Sequence, residues 1–243
     1  MAKLFLGTRE VTPAVYKDGY TELPSYQVVN GVASRRSGAL TGNEFSDITS
    51  VGYRGMYYSF YYREDLSGPV DFSSLTSVGN YGLAGCFYYT SIRLKDGNLS
   101  ALVTVGDNGL SNAGLKVGSG GVLDISALTS IGTSGLAYTF EDSNMLTTVY
   151  LTSLTNLGSK SMEFAFRKCI KLKDIYFNSL TTTSFGSYTN QFDHMLYMTG
   201  ESETHTLHFP SNLTSTISGL TGYPTFNGTS GYVTLAFDLP ATS

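Results

Sequence analysis

Three histidines and a handful of carboxylates are the side chains of this protein best equipped for chemistry, and they lie near one another. His205-x-x-His208, with Asp193, His194, Glu201 and Glu203 close in sequence, offers the imidazole and carboxylate donors that divalent metals take. Nothing in the surrounding sequence fixes their geometry, so they read as solvated loop residues, and no metal or cofactor is assigned. The chain has no P-loop, G-x-S-x-G elbow, H-E-x-x-H or C-x-x-C. It therefore reads as non-enzymatic, with recognition as its task. The side chains suited to that are tyrosines: eighteen among 243 residues, with no tryptophan. The pairs Tyr61-Tyr62 and Tyr88-Tyr89 stand 27 residues apart, with Tyr57 and Tyr58 just before the first. Tyrosine supplies contact area and a hydroxyl at low entropic cost, which suits contact with protein or glycan.

That interval is the period of most of the chain. Taking the Leu or Ile before "T-S" as register, the starts are Ile48, Leu75, Leu102, Leu128, Leu154 and Leu180, spaced 27, 27, 26, 26 and 26. Three residues earlier stand Phe45, Phe72, Leu99, Ile125, Leu151 and Phe177; three later stand Val51, Val78, Val105, Ile131 and Leu157, each followed by Gly. The alternating block "V-x-F-S-S-L" predicts a short strand with one buried face. The glycine suits a turn needing positive φ. Beyond it, Met162, Phe166, Cys169 and Leu172 follow a 4–3–3 rhythm, and Met56/Phe60, Leu83/Phe87 and Leu136/Phe140 repeat its first step. That spacing predicts a helical turn. The glycine-rich third copy, "GDNGLSNAGLKVGSGG", is expected to be irregular. One unit cannot bury its own apolar edge, so the units must stack into a solenoid with a continuous core.

The fifth copy, Phe166-x-x-Cys169-x-x-Leu172-x-x-Ile175-x-Phe177, together with "L-T-S-I-G", resembles the BspA-like class of leucine-rich repeats. The resemblance spans roughly residues 42–219 and departs by four extra residues before Ala165-Phe166 and by a strand-ending proline found only at Pro210. It implies an α/β solenoid: a leucine-rich-repeat-like parallel sheet with short helices on the convex side, in about six to seven coils of 26–27 residues. It implies packing roles for Cys169 and Cys86 and carries no catalytic residue. The organisation expected is an N-terminal β-rich arm or cap over 1–41, the solenoid over 42–219 with an insertion at about 184–206, and a C-terminal β cap over 220–243. The opening "M-A-K-[LI]-x-[LI]-G-[TS]-x-x-V-T-P-A" is similar to the first residues of several phage structural proteins, tail and fibre components in particular.

In that register two columns face solvent. One exposed position lies between the buried strand residues of each coil: Glu44, Asp71, Asn98, Asp124, Tyr150 and Tyr176, with His208 a further candidate. It forms a stripe on the concave sheet at the strand spacing of about 4.8 Å. The rival surface is the convex patch of Tyr57, Tyr58, Tyr61, Tyr62, Tyr88 and Tyr89, unless half of those rings complete the core.

The totals narrow the partners. Charged residues make up 14% of the chain and the formal net charge is −4, which gives no reason to expect nucleic acid. No apolar run reaches the roughly 18 residues of a membrane span. The N-terminus lacks the apolar region of a signal peptide, so synthesis in a host cytoplasm is expected. Three function classes follow. The first is a phage virion component, a tail fibre or surface decoration that recognises a protein or glycan on a host surface, or a neighbouring virion subunit. The second is a BspA-like adhesin on a bacterial surface, and the third an intracellular interaction scaffold. The phage-like opening ranks the virion first, with homo-oligomerisation left open.

Overall fold

The structure, a computed structural model, describes residues 45–64, 66–199, 204–223, 226 and 232–242, and the backbone of five strands before residue 45. It is a parallel β-solenoid of about seven turns. Each of the first five coils places one apolar residue on a short strand immediately before its glycine: Ser50–Val51, Ser77–Val78, Thr104–Val105, Ser130–Ile131 and Asn156–Leu157. These run parallel and in register, Val51 beside Val78, Val78 beside Val105, then Ile131 and Leu157. At the first edge the hairpin Leu4–Leu6 and Arg9–Val11 joins antiparallel, Leu4 opposite Val51. Another hairpin meander, Tyr20–Leu23, Tyr26–Val29 and Val32–Ser34, forms its own sheet.

The second wall is built from the alternating block. Val122–Asp124, Thr148–Tyr150, Asp174–Tyr176, His205–Pro210 and Val233–Leu239 pair in parallel. A separate parallel sheet of Ser67–Val70, Ser91–Leu94 and Lys116–Val117 links the early coils, and a bridge from Asn98 to Asp124 extends the second wall one coil further back. Leu75, Val78, Leu128, Ile131, Leu154 and Leu157 all lie in one buried cluster, as the register requires. Cys86 and Cys169 are both buried and free; burial raises both thiols well above their ordinary value.

The helices expected on the outer side are replaced by stacked turns. Among the described residues the one α-helix is Thr214–Ser218. After Gly52 the chain advances in four-residue steps, with Arg54, Tyr58 and Tyr62 in the left-handed region at φ of 53°, 52° and 55°. The amides of Met56, Tyr58, Phe60 and Tyr62 donate to the carbonyls of Gly82, Ala84, Cys86 and Tyr88 on the next coil, at 2.8–3.0 Å. The amides between fold back three residues, Ser59 to Met56 and Tyr61 to Tyr58, both at 3.3 Å. Coils two to five continue the scheme. Half of the backbone donors thus hold the stack together, whereas a helix would spend them all within one coil. The Met56–Phe60 interval of four mimics a helical step because a chain of such turns also returns inward every fourth residue.

The glycines before these turns have a different reason from the one expected. Gly79, Gly106, Gly132 and Gly158 are not in the positive-φ region. A Cβ on Gly158 would stand 2.6 Å from the carbonyl carbon of Gly132 and from the Thr133 nitrogen; one on Gly132 would stand 2.7 Å from that of Gly106. Glycine lies on glycine because the backbones of successive coils meet there.

Residues 184–199, read as part of an insertion, supply the turns of a sixth coil. The amides of Met162, Phe166 and Lys168 donate to the carbonyls of Gln191, Met195 and Tyr197. The C-terminal strand Val233–Leu239 is a further parallel rung, with Phe237 stacked on Phe209 at 5.9 Å.

Candidate functional site

The histidines do not gather. His205 points into the core, its Nδ1 against the Leu172 carbonyl. His194 lies on the turn face, stacked on Phe164 at 4.7 Å with Nδ1 2.8 Å from Asp193. His208 stands on the outer side of the His205–Pro210 strand, so neither it nor His205 is a loop residue. Glu201 and Glu203 lie outside the described residues, and no group of three metal-ligating side chains forms among those described.

The strand column is present but engaged in structure along much of its length. Asp71, Asn98 and Asp124 each accept, through Oδ1, the amide N–H two residues on, from Ser73, Ser100 and Ser126 at 3.0, 2.9 and 3.0 Å. These are Asx turns that end the strand. Asp71 also pairs with the Lys95 ammonium at 3.1 Å. Burial alone would raise its carboxyl, but the bonds from Ser73 and Lys95 outweigh that and hold it below the usual value. Further along, Tyr150 stacks on Tyr176 at 5.4 Å and Tyr176 on His208 at 4.3 Å, the latter pair nearly parallel. His208 is clasped between Asp174, 3.2 Å from Nε2, and Asp238, 2.9 Å from Nδ1. Tyr150 is the most open of the five described, 37% exposed. Glu44 lies outside the described residues.

The turn face is where the tyrosines assemble. Left-handed positions project outward and align from coil to coil, so like positions stack. Tyr62 lies on Tyr89 at 4.4 Å and 18°, and Tyr61 on Tyr88 at 5.8 Å and 12°. Edge contacts at 4.4–4.7 Å join Tyr57 to Tyr58, Tyr58 to Tyr61, Tyr61 to Tyr62 and Tyr88 to Tyr89. All six residues of the convex patch therefore form one connected surface, and Tyr62 and Tyr89 remain 53% and 54% exposed. The rings do not complete the core; Met56, Phe60, Cys86 and Phe87 do that. Sequence reasoning missed the extension of this surface through Tyr53, Tyr81 and Arg54. The Arg54 guanidinium lies 5.2–5.5 Å from the centroids of Tyr53, Tyr57 and Tyr81, a cation–π arrangement. The interval of 28 between Tyr53 and Tyr81 fell one off the period and hid the relation. Burial, then the neighbouring Tyr89 and Glu141, push the Tyr88 phenol up to about 12, so it remains a neutral hydroxyl able to donate.

Where this surface ends, the turn face opens into a cleft of about 300 Å³. Its near wall is Tyr88 and Tyr89. Its far side carries Glu141 and Asp142 from coil four and Arg167 and Lys168 from coil five. Glu141 accepts from Arg167 at 2.9 Å and lies 3.5 Å from Lys168; Lys168 is 3.9 Å from Asp142. Compared with known proteins, the chain matches no protein-family model, no curated protein and no solved structure.

Proposed function

We propose that this protein is a non-enzymatic recognition solenoid, carried as a tail-fibre or surface component of a phage virion, that binds a host-surface glycan or protein through its tyrosine-covered turn face. The observation that carries the reading is the connected, half-exposed network from Tyr57 to Tyr89, whose rings stack on and edge one another. Rings that neither complete the core nor cap the backbone are available to a partner, and tyrosine is the side chain that binding surfaces favour. The opening residues, similar to those of phage structural proteins, support the virion as the setting. Catalysis has no comparable support, since the histidines are dispersed and both thiols are buried. The fifth-copy signature from Phe166 to Phe177 supports one rival, a BspA-like surface adhesin. Attachment assays decide between binding surfaces. Purified protein should label susceptible host cells, and Tyr58→Ala combined with Tyr62→Ala should lose that labelling at unchanged melting temperature. Full labelling by this variant, with loss on Tyr150→Ala combined with Tyr176→Ala, would transfer the site to the strand column. Detection of the protein in purified particles supports the virion; its detection only on bacterial envelopes would favour the adhesin.

A further inference from the structure

The cleft beside Tyr88 and Tyr89 exists because coil three lacks a turn. The left-handed positions of the third turn are Tyr62, Tyr89, Asp142, Lys168 and Met198 on coils one, two, four, five and six, and in coil three the last such residue is Asn112. After Gly114 the chain dives inward to Lys116–Val117. Fifteen residues separate Gly79 from Leu94, but eleven separate Gly106 from Val117, the rung partner of Leu94, one four-residue step fewer. Two stacked columns, Tyr61 on Tyr88 and Tyr62 on Tyr89, therefore run out at an empty level. Tyr62 covers one face of Tyr89, and the level that would cover the other has no third turn. The next occupied level is Glu141 and Asp142, two coils on from Tyr88 and Tyr89. Two strand spacings span roughly 9–10 Å, which leaves room for one flat ring between.

The chemistry of the walls selects the ring. One side offers aromatic faces. The other offers carboxylates and cations already paired with each other, Glu141 with Arg167 and Lys168, and Asp142 with Lys168. Lys116 adds a third cation against the two carboxylates of the lining, so no surplus negative charge is left to hold an ammonium ligand. What remains is a planar apolar face opposite a row of hydrogen-bond donors and acceptors. A sugar ring has that combination, an apolar C–H face to lie on tyrosine and hydroxyls at its rim for Glu141, Asp142 and Arg167. We infer that the missing turn forms a slot for one pyranose residue of an oligosaccharide, seated on Tyr89 and oriented by the charged pairs of coils four and five. This rests on the recognition reading above and names the ligand class of its surface.

The test is binding of the full chain to an immobilised panel of neutral hexose and N-acetylhexosamine oligosaccharides, with uronate and sialylated ones alongside. Host cells with intact and with enzymatically stripped glycans are labelled in parallel. Glycans of this panel should bind, and Tyr89→Ala should weaken binding at least about tenfold. Two variants outside the tyrosine surface isolate the slot: Lys116→Trp, which fills it, and Asp142→Asn, which removes a charged acceptor. Both should weaken binding by a similar factor with the melting temperature held. Glycan binding that survives both variants overturns the slot and leaves recognition by the tyrosine surface standing. Labelling that persists on stripped cells, with no glycan bound, overturns the sugar and keeps the recognition reading. Failure to bind any glycan or any host cell removes both.

Discussion

The strand face and the turn face of this solenoid both present a column of outward side chains every coil, yet the two columns differ in what else they do. On the strand face Asp71, Asn98 and Asp124 cap the backbone of their own coil, and His208 bridges the Asp174 and Asp238 carboxylates. On the turn face the backbone is closed by its own hydrogen bonds between coils, and Tyr58, Tyr61 and Tyr62 contact mainly other rings. Outward orientation alone does not make a residue available. A position is free to serve recognition when the backbone beneath it is satisfied without its side chain.

The difference can be broken most severely from beneath, because both faces hang on one core. Leu128 is fully buried within that core. Leu128→Asp places an unpaired carboxylate there and should cost more than about 4 kcal/mol. In chemical denaturation the middle coils should unfold and both surfaces be lost together. A cooperative, near-normal melt would mean that the coils do not share a core. Next in size is the corner between the short strands and the turns. Gly158→Ala sets a methyl 2.6 Å from the backbone of coil four, so two coils must part; overpacking of this kind costs about 1–3 kcal/mol. Hydrogen exchange should quicken at the Gly158 and Ser161 amides and their neighbours first. Exchange unchanged there would show that the coils are not in backbone contact.

The sequence made the core legible and left the turn face obscure, for a physical reason. Apolar residues such as Leu75, Val78 and Ile131 must recur where each coil lies on the last, so the register and the solenoid could be read directly. The turn ladder is specified by bonds between backbone groups, which leave no side-chain signature. Most of its left-handed positions are held by residues such as Tyr58, Tyr62, Lys160 and Lys168, with glycine at Gly85, because inter-coil hydrogen bonds offset the steric cost. An inward residue every fourth position then looks helical. The tyrosine patch was legible from its pairs at 61–62 and 88–89, since stacking follows from the period. The slot was not: coil three loses a turn but regains residues around Gly118–Gly121, so the 26-residue interval conceals the deletion. Likewise the Asx turns at Asp71 and Asp124 could not be told from solvated acids without the amides of Ser73 and Ser126 in place.

A matched pair of substitutions sharpens the comparison at smaller scale. Asp124→Ala leaves the Ser126 amide without its side-chain acceptor and should cost about 1 kcal/mol, measured as a shift in denaturation midpoint at unchanged slope. Tyr62→Ala removes a more exposed side chain and keeps the amide bond to the Tyr88 carbonyl, so it should stay within about 0.5 kcal/mol. Equal costs at the two positions would erase the distinction between the faces.

The finest distinction is within the strand face, between capping and charge. Asn98 shows that an amide oxygen makes the same turn as Asp71 does, so Asp71→Asn should keep the bond to the Ser73 amide and lose the attraction to Lys95. The Asp71 carboxyl is held below its ordinary value of 3.8. A depressed folded-state value means that the charge stabilises the fold above the unfolded-state value and that this contribution disappears as pH falls through the folded one. Lys95 is more than a third exposed, so water screens the pair and the contribution should not exceed about 1 kcal/mol. Melting temperatures of the parent protein and Asp71→Asn, followed from about pH 6 to about pH 3, should therefore differ slightly at the upper end, with the parent higher, and converge in acid. A gap that persists at the acid end would assign the role of Asp71 to geometry alone. A gap that widens in acid would reverse the sign of its coupling and remove Lys95 as its cause.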